Sequence, residues 1–148
     1  MRVQLVVFIV LALAALAIPY VTAASSSAPR SELTAGPSAF GRILFDGRGF
    51  VLYSFTRDPR GGRSRCYGGC ATGWPPYILK GKLSAGPGLQ RSLLGTTKRR
   101  DGKLQVTFDG RPLYYYVGDR NAGDILCQNV NEFGGLWLIV RPGGKPVR

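Results

Sequence analysis

Short runs of apolar and β-favouring residues, separated by turn-forming clusters, organise the chain and point to strands rather than helices. Gly41 to Phe45 alternates weakly, Asp46-Gly47-Arg48-Gly49 is a turn signal, and Phe50 to Thr56 is rich in aromatic and β-favouring residues, which together read as a β-hairpin. The text then returns. Leu104 to Phe108 leads into Asp109-Gly110 and Leu113 to Val117 leads out, the same hairpin with a shorter turn. Phe45-Asp46-Gly47-Arg48 is answered by Phe108-Asp109-Gly110-Arg111, and Tyr53 and Asp58 by Tyr114 and Asp119. Cys66 follows Asp58 by the interval at which Cys127 follows Asp119, and a tryptophan follows each cysteine, Trp74 or Trp137. Each copy adds a third apolar stretch, Trp74 to Leu79 and Leu136 to Val140; Pro75 and Pro76 cannot donate to a ladder, so the first of these is expected to be an edge strand or irregular.

Internal duplication of this kind sets the expected architecture. The fold class is mainly β: two pseudo-symmetric three-stranded antiparallel units forming a small sandwich or barrel. One domain is expected over residues 39–142, with repeat one at about 41–80, a surface connection at 81–102 carrying a short helix near Leu89 to Leu94, and repeat two at about 103–141. Residues 24–38, rich in Ser, Ala and Pro, read as a flexible leader. Residues 1–23, with Met1-Arg2, an apolar run from Val3 to Ile18 and Val21-Thr22-Ala23, have the three regions of a secretory signal peptide, with cleavage expected after Ala23. That run is shorter than the roughly 20 apolar residues of a spanning helix, so no membrane span is expected after cleavage. The location expected is secreted or extracytoplasmic, in the cell envelope.

The sequence carries 20 Lys+Arg against 8 Asp+Glu, a formal charge of +12. Such a surface attracts polyanions. In an exported chain these would be an anionic cell-wall polymer or lipid head groups; the plain alternative is a solvated basic face that maintains solubility. Arg57, Arg60, Arg63 and Arg65 crowd one loop, and Lys98-Arg99-Arg100 precede the second hairpin, so these loops are the expected polyanion contacts. No glycine-rich phosphate loop, RNA-binding signature or zinc motif is present, so no specific nucleic-acid partner is expected. Histidine is absent, which excludes a Ser-His-Asp triad, a Cys-His dyad and His-ligated zinc or haem. No cofactor is expected, and an enzyme built here would work with Asp, Glu, Tyr, Lys or Cys alone.

Period-two alternation places Tyr53 and Phe55 on one face of their strand and Tyr114 and Tyr116 on the matching face of theirs. These four aromatics form either a shared core or an aromatic-lined pocket for a small ligand. Asp58 and Asp119 fall just past strand ends, where a short carboxylate accepts backbone amides and fixes a turn; the alternatives are an acid/base pair or a cation site across the pseudo-symmetry axis. In an exported chain Cys66-Tyr-Gly-Gly-Cys70 is expected to be a disulfide, with a bridge from either cysteine to Cys127, or a redox or metal role, as alternatives.

The doubled Tyr-x4-Asp text, Leu52-Tyr53 to Asp58 and Leu113-Tyr114 to Asp119, resembles a family of bacterial secreted-repeat proteins, predicted lipoproteins of unknown function. Cys66, Cys70-Ala71, Trp74-Pro75-Pro76, Ser92-Leu93-Leu94-Gly95, Gly110 to Tyr114 and Gly134-Gly135-Leu136-Trp137 also resemble its usual text, over about Phe40 to Gly144. The resemblance implies bacterial origin and export, and it transfers no catalytic residue. No cysteine stands at the end of the apolar run to accept a lipid. The reading is an exported structural or binding module for an anionic envelope component; the alternatives are a small-ligand binder using the aromatic cluster and a redox or hydrolytic enzyme using Cys or Tyr/Asp.

Overall fold

A computed structural model describes residues 30–148; the expected signal peptide and the first part of the expected leader lie outside the described residues. The chain is mainly β. Among the described residues nine short strands are joined by loops, one five-residue helix, α1 (Gly69–Gly73), and a 3-10 turn at Arg91–Leu93. The strands are β1 (Arg30–Gly36), β2 (Ile43–Asp46), β3 (Tyr53–Phe55), β4 (Lys82–Ala85), β5 (Leu94–Lys98), β6 (Leu104–Phe108), β7 (Arg111–Pro112), β8 (Val130–Glu132) and β9 (Gly135–Ile139). They form three three-stranded sheets, ordered β2-β1-β4, β3-β9-β8 and β5-β6-β7, with no closed barrel among the described residues. All pairings are antiparallel except β1 with β4.

Both hairpin turns form where the turn residues stand. Asp46 accepts the amide of Gly49 and donates its own to Phe50. Asp109 and Gly110 both have positive φ, 51° and 69°, which is the two-residue turn that matches the twist of antiparallel strands. Past the hairpins, the repeats are not two self-contained units. β3 of repeat one takes β9 of repeat two as its neighbour, with Phe55 opposite Trp137. The third stretch of repeat one crosses the other way, with Pro76 bridging Tyr114 and Ile78 bridging Gln105. The amide of Thr56 donates to Leu136 O and, at the matching place, that of Val117 donates to Gly73 O, both at 3.0 Å. At the centre Tyr53 and Tyr114 exchange both backbone hydrogen bonds at 2.9 Å. Each repeat therefore lends its last strand to the other. Pro75 takes part in this layer through its carbonyl, which accepts the Tyr115 amide at 2.8 Å, and neither proline has an N–H to donate to the ladder.

The weak alternation of the first hairpin has a physical cause. Residues 43–46 and 51–55 are buried throughout, so alternate side chains enter two different cores. Ile43, Phe45, Val51, Tyr53 and Phe55 join Trp74, Tyr114, Trp137 and Ile139 in an aromatic core. Leu44 and Leu52 turn the opposite way, into a core with Leu33, Tyr77, Val106, Phe108, Leu113 and Val140.

The structure corrects two expectations. Residues 30–36, the end of the stretch expected as a flexible leader, form β1, which pairs with β2 on one side and β4 on the other. Leu33 is fully buried, and Ser31 Oγ accepts the Lys80 amide at 2.7 Å, so side chains two apart anchor the strand to the domain. The expected surface connection, 81–102, contains β4 and β5; its 3-10 turn falls within the stretch expected to be helical. β5 is held along its length by β6, from Leu94 opposite Phe108 to Lys98 opposite Leu104, and this cross-strand pairing overrides the Gly- and Ser-rich local text.

Candidate functional site

The two Tyr-x4-Asp motifs complete each other. The Tyr53 hydroxyl donates to Asp119 Oδ2 at 2.7 Å, and the Tyr114 hydroxyl donates to Asp58 Oδ2 in a short hydrogen bond. Each aspartate also closes its own loop seven residues on: Asp58 Oδ1 accepts the Arg65 amide at 2.7 Å, and Asp119 Oδ1 accepts the Leu126 amide at 2.9 Å. All four residues are buried. The turn role expected of the aspartates is thus joined by a cross-repeat role. The two carboxylates take separate partner sets. Among the described residues no three His, Cys, Asp or Glu side chains converge as metal ligands.

Burial pushes both carboxyl groups above the usual carboxylate range, against the lowering effect of their tyrosine and amide donors. Arg99 and Arg65 oppose that rise at Asp58, whereas Asp124 adds to it at Asp119. Both tyrosines are pushed far up, first by burial and then by the carboxylate each faces. A tyrosine so held is a hydrogen-bond donor and a poor general base.

The aromatic rings form one column. Trp74 and Trp137 stack at 4.0 Å and 5°, Phe55 stacks on Trp137 at 4.2 Å, and Tyr116 covers Trp74 at 4.7 Å. Tyr53 meets Trp74 edge-on at 5.2 Å and Tyr114 meets Trp137 edge-on at 5.1 Å. The Trp74 Nε1–H donates to Glu132 Oε2 at 2.8 Å. The shared-core reading of Tyr53, Phe55, Tyr114 and Tyr116 accounts for this arrangement. An aromatic-lined pocket is not formed, because the rings fill the space between them. Two cavities lie elsewhere, one a groove of about 560 Å³ beside Glu32, Asp46, Tyr77 and Tyr115, the other an open depression beside Arg60 and Asp109.

Cys66 and Cys70 are joined by a disulfide, with Cα atoms 5.2 Å apart, across a loop that holds Tyr67. Cys127 occupies the matching place in repeat two, where Asn131 stands in the position of Cys70, and it is a free thiol. It packs at the margin of the aromatic core beside Tyr116, and burial pushes its thiol above the usual range.

The cations expected on the surface divide. Arg57, Arg60, Arg63, Arg65, Lys98 and Arg100 are exposed. Arg60 is paired with Asp109, and Arg57 Nη1 donates to Phe133 O. Arg99 is a correction. It is only 5% exposed, and its guanidinium donates to Ser64 Oγ at 2.9 Å, Gln105 Oε1 at 2.7 Å and Cys66 O at 2.8 Å. Ser64 Oγ lies 2.7 Å from the Tyr114 hydroxyl. The buried positive charge of Arg99 therefore reaches the buried Asp58 carboxylate through two hydroxyl groups, a relay that lowers the cost of burying both. Sequence reasoning missed Ser64 and Gln105 altogether. The signal available was position: Arg99 lies at the end of β5 between two exposed cations, and only its turned side chain faces inward.

Tyr67 gathers two arginines of the second basic cluster. The Arg99 and Arg100 guanidinium carbons lie 4.4 and 4.6 Å from its ring centroid, and its hydroxyl accepts the Arg100 amide at 3.3 Å.

No helix among the described residues is long and apolar enough to cross a membrane. No curated protein and no solved structure matches the chain. A family described as a secreted repeat of unknown function matches residues 37–77 and again 95–141. The chain belongs to that family of secreted repeats.

Proposed function

We propose that this chain is a bacterial envelope or extracellular binding module for an anionic component, a cell-wall polymer or lipid head groups, with no catalytic role. The observation that carries this reading is the direction in which the charges face. Of the eight acidic residues only Asp101 and Glu132 are exposed, because Asp46, Asp58 and Asp119 turn inward to hold turns and hydroxyl groups. Beyond Arg30, every lysine and arginine of the described residues except Arg99 and Arg111 is exposed. The surface is therefore more basic than the composition. A rigid interlocked core carrying loops of arginine suits recognition better than chemistry: the tyrosines and aspartates of the repeated motif are spent on each other.

Retention of the protein on purified bacterial cell wall and on anionic lipid vesicles, measured across a salt series, tests the reading. Binding that weakens as the screening length shortens is expected. Binding absent at low salt, or indifferent to salt, overturns it.

A further inference from the structure

We propose that the exposed Arg100, packed on the Tyr67 ring together with the buried guanidinium of Arg99, forms a binding site for phosphate-ester groups. This rests on the polyanion reading above and names the place where it acts. The fold brings Arg99 and Arg100 of the second basic cluster to the ring of Tyr67, which lies two residues past Arg65, the last arginine of the first. Tyr67 is fixed on a loop closed by the Cys66–Cys70 disulfide, and two guanidinium groups lie over its ring at 4.4 and 4.6 Å. Arg99 is oriented by three neutral acceptors, Ser64 Oγ, Gln105 Oε1 and Cys66 O, which use three of its five N–H donors. Arg100 is exposed and has no carboxylate partner among the described residues. Arg63, Arg65 and Lys98 are exposed on the two segments that meet there.

Two positive charges share one ring, and neither is in direct contact with a carboxylate. Asp58 is buried with both oxygens already accepting, from Arg65 N–H and the Tyr114 hydroxyl. Asp101 faces Lys103 at 3.7 Å. An external oxyanion supplies such a contact to the exposed Arg100. A guanidinium fork matches the several acceptor oxygens of a phosphate ester better than a flexible ammonium does. Because Tyr67 and Arg99 are held in place before the ligand arrives, the Arg100 side chain is what is left to be ordered on binding.

The test uses the folded protein and two probes at low salt, a soluble polyphosphate chain and phosphatidylglycerol vesicles, with phosphatidylcholine vesicles as the blank. Arg100→Ala and Tyr67→Leu are compared with Arg148→Ala, which removes an exposed charge elsewhere; unchanged circular dichroism and melting temperature establish folding for each. Arg100→Ala and Tyr67→Leu are expected to weaken binding about tenfold. Arg148→Ala is expected to stay within about threefold of the wild type. Capture of polyphosphate alone identifies a polymer as the source of the phosphate and capture of vesicles alone identifies a head group; both outcomes keep the site. Wild-type binding with Arg100→Ala and Tyr67→Leu no weaker than Arg148→Ala overturns this site and leaves the general reading standing. A wild type that binds neither probe overturns both.

Discussion

The Tyr53 hydroxyl donates to Asp119 Oδ2 at 2.7 Å, so the aspartate that ends the second Tyr-x4-Asp motif is held by the tyrosine that begins the first. Tyr114 and Asp58 repeat the relationship in the opposite direction. The motif spacing is then a consequence of geometry. The tyrosine must lie on the central strand to cross to the other repeat, and its aspartate must lie past the strand end to receive the other tyrosine and close its own loop. Removing either hydroxyl leaves a buried carboxylate short of a donor. Tyr53→Phe and Tyr114→Phe are each expected to lower unfolding free energy by about 1–3 kcal/mol. The two hydroxyls serve separate carboxylates, so the double variant is expected to be additive within about 0.5 kcal/mol. Chemical denaturation of the four proteins measures this, and strong coupling would show that the two sites act as one.

The same burial gives an unusual response to acid. Asp58 and Asp119 have folded-state pKa values raised above their unfolded value, so the native state binds these protons more tightly than the unfolded chain. Their contribution is greatest below the unfolded carboxylate value and is lost as pH rises through the folded value. Between neutrality and about pH 4 the wild type is therefore expected to gain stability relative to Asp58→Asn and Asp119→Asn, which mimic the protonated form throughout. Urea midpoints across that window check the sign. A wild type that loses stability against both variants on acidification would show that the donors outweigh burial.

β1 yields a simpler expectation. Leu33 is fully buried with Leu44, Leu52 and Val140, although it lies in the stretch whose composition reads as a leader. Leu33→Ala is expected to cost about 2–5 kcal/mol. Thermal melting of this variant measures whether residues 30–36 belong to the folded domain.

The hairpins, the turn residues, the duplicated motif and the Cys66–Cys70 bridge were all legible, because each depends on residues close in sequence. Strand exchange was not. Nothing in the text of β9 distinguishes pairing with its own hairpin from pairing with β3, since both offer the same alternation; the choice is made by packing, where Trp137 stacks between Phe55 and Trp74. β1 was hidden for a related reason: Ser31, Leu33 and Ala35 alternate over too few apolar residues to stand out in a Ser- and Ala-rich stretch. Arg99 was hidden by its neighbours, because a run of three cations reads as a solvated face although strand geometry turns one of them inward.

The disulfide closes a short loop, so it removes little freedom from the unfolded chain. Reduction, or Cys66→Ser with Cys70→Ser, is expected to cost about 2 kcal/mol on the loop-closure account. The free thiol behaves independently. Burial raises the Cys127 pKa, which lowers its thiolate fraction at neutral pH. Its alkylation is expected to be slower than that of a small free thiol and to accelerate only on the alkaline side, which a rate profile against pH reads directly.

The turn between β8 and β9 offers a gain instead of a loss. Phe133 and Gly134 connect these strands with φ of 55° and 77°, a turn in which both central residues are left-handed. Glycine adopts that conformation freely, but a phenylalanine there carries strain of about 1–3 kcal/mol. Phe133 is also 49% exposed, so little packing offsets the strain. Asn is among the residues that this turn prefers at its first position. Phe133→Asn is therefore expected to raise stability by about 1 kcal/mol, with the backbone acceptor for Arg57 Nη1 unchanged. Differential scanning calorimetry decides the matter: a lowered melting temperature would mean that the exposed ring contributes more through its contacts than the turn costs.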